Sequence, residues 1–144
     1  MKSVVTCVLG TLGFCIILNV SKRMIIPATL GGAISAVLFY AFGEMGFGTF
    51  TSTLFAMVAI SVYSLATAKI KMAPANTVLL PASVPLLPGG SLYYMMSSLV
   101  HFRKAEFLFY AKETVLAGMG IALGAVIVSI PVKIITALRC GRAD

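Results

Sequence analysis

The sequence predicts an all-α integral membrane protein, a bundle of four to five transmembrane helices whose fourth apolar segment, residues 76–100, is broken. Three observations predict it. Hydrophobic residues make up 60% of the chain and charged residues 10%, against roughly 25% charged in a typical soluble domain. The mean hydropathy is +1.05. The apolar residues fall in long runs separated by short basic clusters, the pattern of loops at a membrane surface. The whole chain, 1–144, reads as a single transmembrane domain with spans near 3–20, 28–43, 49–68, 78–100 (broken) and 114–132.

The first run, 3–20, follows Lys2. It resembles a signal peptide, but Ser21-Lys22-Arg23 follows in place of a small-x-small cleavage site, so it reads as a retained span. Gly10 and Gly13 offer a flat face to a neighbour. Residues 19–27 read as a loop carrying Lys22 and Arg23, with Pro27 suited to the first turn of the second helix. In 28–43, the pairs Gly32/Ala36 and Gly31/Ser35 are small-xxx-small faces that predict close helix packing. Glu44 ends that run, and the turn Gly46-Phe47-Gly48 follows. In 49–68, Thr49, Thr53, Ser61 and Ser64 fall near one face with Met57 among them. Such a hydroxyl stripe serves as packing glue or lines a path.

Residues 76–100 are apolar enough to enter a bilayer and cannot form a plain helix. Pro81, Pro85 and Pro88 each lack an N–H, and each ring clashes with the carbonyl four residues back, those of Thr77, Pro81 and Val84. Gly89-Gly90 adds permissive backbone. Broken backbone at membrane depth survives only inside protein or beside a water-filled cavity, so such a segment points to a binding site. The alternative is a proline-kinked helix that only packs. Residues 81–88 are expected to be unwound. A new helix is expected from Ser91, acting as cap, with Tyr93 and Tyr94 near its start. The first N–H groups of that helix, around Gly89, Gly90 and Ser91, would meet a substrate carboxylate. The freed carbonyls of Thr77, Pro81 and Val84 would meet an ammonium group or coupling ion, and Tyr93 or Tyr94 would close the site. The predicted substrate-binding set is thus Pro85, Pro88, Gly89, Gly90, Ser91, Tyr93 and Tyr94.

Residues 101–113 alternate Phe102, Phe107, Phe109 and Tyr110 with Arg103, Lys104, Glu106 and Lys112. They read as an interfacial helix or as a loop rich in membrane anchors. The last span, 114–132, carries the GxxxG of Gly120 and Gly124, with Pro131 and Lys133 at its end. The tail from Arg139 to Asp144 reads as frayed.

Lys and Arg counts set orientation. With five full spans and the N-terminus outside, the inner side holds Lys22, Arg23, Lys69, Lys71, Lys133, Arg139 and Arg142, seven, against Lys2, Arg103, Lys104 and Lys112, four. If 76–100 dips in and returns, the inner side again holds seven against four. Both place the N-terminus outside; the side of the C-terminus stays open. Lys22 and Arg23 either fix this topology or attract an anionic substrate to the cytoplasmic mouth.

The net charge of +7 comes without the basic-aromatic interleaving of a nucleic-acid module, so no nucleic-acid partner is expected. Cys7, Cys15 and Cys140 form no CxxC and no Cys/His zinc spacing. No metal and no cofactor are expected. An enzyme is the weakest reading, because Glu44, His101, Glu106 and Glu113 sit in or beside loops without motif spacing, and no catalytic residue is assigned.

Leu18-Asn19-Val20-Ser21-Lys22-Arg23, a glycine-containing second span, and then Val84-Pro85-Leu86-Leu87-Pro88-Gly89-Gly90-Ser91-Leu92-Tyr93 together resemble the C-terminal membrane domain of the threonine/serine exporter family. More closely, the chain is similar to the small free-standing subunit of the split version. The resemblance covers nearly the whole chain, and Pro-x-x-Pro-Gly is its most specific element. The extra Pro81, and Ser21 where the family often has proline, are departures. The resemblance implies secondary export of threonine and serine, or of small dicarboxylates, across the cytoplasmic (inner) cell membrane by a multi-pass protein. It also implies a larger membrane subunit of the same exporter as partner. The small-residue faces suit that partner, or a second copy of the chain. The competing reading is a non-transporting scaffold or assembly subunit, which would have no use for the broken segment.

Overall fold

The structure, a computed structural model, describes residues 2–140. Arg142, counted above among the basic residues, and most of the tail lie outside them. The described residues form six α-helices and a single 3-10 turn. They are α1 (Lys2–Ile17), α2 (Lys22–Glu44), α3 (Thr49–Lys71), α4 (Asn76–Ser83), the 3-10 turn Val84–Leu86, α5 (Gly89–Val100) and α6 (Lys104–Cys140). Three helices are long and apolar enough to cross a membrane: α2, α3 and α6 over Lys104–Val132. Val5–Ile17 and Asn76–Leu86 are shorter apolar helices.

Several boundaries differ from the expected ones. Lys22 and Arg23 form the first turn of α2 rather than a loop, and Pro27 lies inside that helix. Its carbonyl accepts a hydrogen bond from the Tyr63 hydroxyl at 3.1 Å. Residues 104–113 are the start of α6 and not a separate interfacial element. Pro131 does not end α6, which runs on to Cys140. In a bundle the carbonyl freed by one proline is re-satisfied locally, so a membrane helix continues through it.

Four turns share one closure. Asn19, Met72 and Phe102 have φ of 50°, 50° and 56°, and Gly46 has 80°. In each case the next N–H reaches back five residues: Val20 to Cys15 O (3.0 Å), Phe47 to Phe42 O (3.3 Å), Ala73 to Ala68 O (3.2 Å) and Arg103 to Ser98 O (2.9 Å). This is the Schellman closure of a helix C-terminus. Gly46 and Asn19 suit the left-handed conformation. Met72 and Phe102 do not, because a Cβ there crowds the following carbonyl.

Contacts fix the direction of each helix. Thr11 on α1 meets Gly32 on α2, and Cys15 clusters with Met24 and Ala28, so α1 and α2 are antiparallel. Tyr63 near Pro27, and Phe42 stacked on Phe55 at 5.5 Å, make α2 and α3 antiparallel. On α4, Val78 packs with Met24 and Ala28, while the carbonyl of Ala82 accepts the buried Ser35 hydroxyl at 2.9 Å, so α4 rises parallel to α2. The most extensive packing is α3 on α6. A Cβ at Gly120 would meet Phe50 O at 2.9 Å, and one at Gly124 would meet Met57 Cβ at 2.8 Å. Further along, Ser61, Ser64 and Leu65 face Val128, Ser129 and Val132. The register advances together, so α3 and α6 are parallel. Residues 76–100 therefore return the chain from the end of α3 to the end where α3 began.

Candidate functional site

The interruption between α4 and α5 is built by one of the three prolines. Pro81 is buried inside α4, which continues to Ser83. Pro85 sits at the start of the 3-10 turn, where its missing N–H leaves no bond unmade. Pro88 makes the break: the residue before a proline is driven out of the helical region, and Leu87 is extended at φ −64°, ψ 129°. The expected unwinding of 81–88 is thus confined to the tightened turn at 84–86 and to Leu87-Pro88.

Two of the carbonyls assigned to a cation are taken. Pro81 O accepts the Val84 N–H, and Val84 O accepts the Leu87 N–H at 3.1 Å. Tightening from α to 3-10 geometry satisfies what the prolines leave open. Ser91 is not the helix cap either. Pro88 holds that position and α5 begins at Gly89, because the chain turns as soon as Pro88 has passed. The Gly89 N–H bonds Leu87 O at 2.8 Å, and the first regular bond of α5 is Leu92 N–H to Pro88 O at 3.0 Å. The Gly90 and Ser91 N–H groups, in the first turn, have no carbonyl a turn behind them. Gly89 and Gly90 are exposed, neither has a left-handed φ, and a Cβ at either would meet nothing within 4 Å.

α5 and α6 form an antiparallel hairpin. Tyr94 stacks on Tyr110 at 5.4 Å and 26°, and Ser98 Oγ donates to Glu106 Oε2 at 3.4 Å. The same register sets Gly90 level with Thr114, beside Glu113, which lies 3.5 Å from the Thr49 hydroxyl. The start of α5 is thus near the end where α3 begins. Tyr94 turns toward the α6 groove, and Tyr93 meets it edge to face at 5.5 Å. Both are more than half exposed. The structure therefore groups Gly89, Gly90 and Ser91 in one turn, with Pro85 and Pro88 just before it, and sets Tyr94 on the flank of α5.

Lys22 and Arg23 are far from that turn. They stand at the other end of the bundle, where Arg23 and Lys71 line an open cleft of about 620 Å³ with Met24, Pro74 and Thr77. Cations in the last turn of α3, Lys69 and Lys71, suit the negative end of its dipole. Lys22 and Arg23 in the first turn of α2 oppose the dipole there, so local helix stability does not account for them.

Sequence reasoning missed two features. One is the groove beside Tyr94, whose Ser98, Arg103 and Glu106 come together only when α5 folds back on α6. The other is a cavity of about 150 Å³ between α3, α4 and α6, lined by Ser61, Ser64, Asn76 and Ser129. The hydroxyl stripe signalled the second. Ser64 Oγ donates to Ala75 O, whereas the buried Ser61 Oγ has no partner. Removing a buried unpaired hydroxyl relieves a desolvation penalty of about 1–3 kcal/mol. Ser61→Ala is therefore expected to leave the melting temperature in detergent unchanged or raised. A lowered one would show that the hydroxyl is bonded in the membrane. Among the described residues no three His, Cys, Asp or Glu side chains lie together as metal ligands.

An all-α fold with three helices long and apolar enough to cross a membrane is that of a multi-pass membrane protein. A family model described as "Threonine/Serine exporter, ThrE" matches residues 3–130. The chain belongs to the threonine/serine exporter family. Comparison with curated proteins and with solved structures yields no match.

Proposed function

We propose that this chain is the smaller membrane subunit of a two-component secondary exporter of threonine and serine, or of small dicarboxylates, in the cytoplasmic membrane. The observation that carries the reading is the interrupted helix in a chain of this family. After Leu87-Pro88, Gly90 and Ser91 lie in the first turn of α5, where helix N–H groups have no intrahelical partner, and a Cβ at Gly89 or Gly90 would meet nothing within 4 Å. Unpaired N–H groups and the positive end of a helix dipole together favour an anion. The substrate carboxylate meets them there, with Pro85 and Pro88 shaping the approach and Tyr93 on the rim.

The parallel course of α3 and α6 supports five crossings, with the N-terminus outside and the C-terminus inside. The ends of α2 and α3 that carry Lys22, Arg23, Lys69 and Lys71 then face the cytoplasm, as the positive-inside rule requires. Exposed small-residue and apolar faces on α5 and α6 suit the larger subunit.

The test is efflux of labelled threonine, serine and succinate from cells carrying this chain, its partner, both or neither. Efflux is expected only with both. Transport by the purified chain alone in liposomes would refute the two-component reading, and no efflux of any of them from the pair would refute the exporter reading. Reversing charge at Lys22 and Arg23 separates their two roles. An inverted α1, read by cysteine labelling from each side, assigns them to topology; lost efflux with orientation intact assigns them to substrate attraction.

A further inference from the structure

We propose that the groove between α5 and the start of α6 binds a zwitterionic α-amino acid, Arg103 taking the carboxylate and Glu106 the ammonium group. Its place in export rests on the reading above; the binding itself does not. The groove has a volume of about 400 Å³ and is lined by Tyr94, Ser98, Arg103, Glu106 and Tyr110, with Ser97 and His101 at its edge. One cation and one anion stand in it, Arg103 Nη1 being 3.2 Å from Glu106 Oε1. The charges of Arg103 and Glu106 balance each other. A zwitterion presents the same two charges on neighbouring atoms and can exchange with the pair. Its carboxylate replaces Glu106 on the guanidinium fork, which suits two oxygens at once. Its ammonium group replaces Arg103 on Glu106.

The exchange is easy because the pair is weak. The Arg103 and Glu106 side chains are 64% and 50% exposed, and ion pairs in that setting add little. When the pair opens, the buried Ser98 hydroxyl, which donates to Glu106 Oε2 at 3.4 Å, keeps a hold on that carboxylate, and the Arg103 backbone is fixed by its N–H bond to Ser98 O at 2.9 Å in the closing turn of α5. The stacked rings of Tyr94 and Tyr110 form one wall of the groove. His101 Nδ1 is already engaged by Ser97 O at 2.8 Å. A dicarboxylate fits poorly, since its second carboxylate meets Glu106. The groove lies at the end of the bundle away from Lys22 and Lys71, which is the exit side in the proposed orientation.

The experiment is saturation-transfer NMR on the full chain in lipid nanodiscs with L-threonine or succinate. Threonine is expected to bind about tenfold better than succinate, and Arg103→Gln or Glu106→Gln to weaken threonine by about tenfold. Glu106→Gln is also expected to strengthen succinate. Both side chains are exposed, so helicity and size-exclusion profile should not change. Succinate binding equal to that of threonine overturns the proposal, and so does threonine binding untouched in both variants. Threonine binding without efflux from the assembled pair would end the exporter reading and leave the groove. Efflux with binding indifferent to both variants would do the reverse.

Discussion

Valine at Gly89 or Gly90 is expected to cut export sharply while leaving the chain folded and inserted. Usually a glycine variant confuses function with folding. Here the two are separable, because a Cβ at either position meets nothing within 4 Å and neither glycine has a left-handed φ. A branched side chain is therefore tolerated by the fold. It would, however, stand over the first-turn N–H groups of Gly90 and Ser91 and keep a carboxylate from them. Hydrogen bonds to a charged group are worth about 1.5–3 kcal/mol, so losing them should lower efflux by about ten- to a hundredfold. Insertion is checked by membrane fractionation and folding by the melting temperature in detergent. Normal export by both variants would remove the carboxylate from this turn. Pro88→Ala should disturb the interruption more than Pro85→Ala, since Pro88 alone drives Leu87 out of the helix.

The opposite pattern is expected at Gly120 and Gly124. A Cβ at Gly120 would lie 2.9 Å from Phe50 O, and one at Gly124 would lie 2.8 Å from Met57 Cβ and 3.0 Å from Leu54 O. Backbone oxygens bonded into the first turns of α3 cannot readily move aside, so α3 and α6 must separate. Overpacking of this kind costs about 1–3 kcal/mol at one position. Valine at either glycine should lower the melting temperature clearly, and the double variant should not give a folded chain. Gly118→Val is the control, because nothing lies within 4 Å of its Cβ. Equal melting temperatures for the Gly118, Gly120 and Gly124 variants would refute the packing of α3 on α6.

Much of this architecture was legible in the residues. The mean hydropathy, the length of the apolar runs and the basic clusters specify a helical membrane protein because the bilayer leaves few alternatives for the backbone. The small residues Gly32, Gly120 and Gly124 announced close contacts, since only a missing side chain lets two helix backbones approach. The helix ends were less legible. Met72 and Phe102 give no local sign of a left-handed turn, and Lys22-Arg23 looks like a loop although it opens α2. Three prolines in 81–88 looked equivalent, yet only the one whose preceding residue had nowhere helical to go breaks the chain.

Local chemistry by itself determined that the chain is an all-α membrane protein with long apolar helices. This follows from hydropathy and from the backbone rules of proline and glycine, which act within a few residues. Tertiary structure alone decided that α3 and α6 run parallel, that 76–100 returns the chain to the end where α3 began, and that Arg103, Glu106 and Ser98 share a groove with Tyr94 and Tyr110. Helix direction and side-chain convergence depend on which faces meet, and packing between distant segments sets that, not the order of residues along either one.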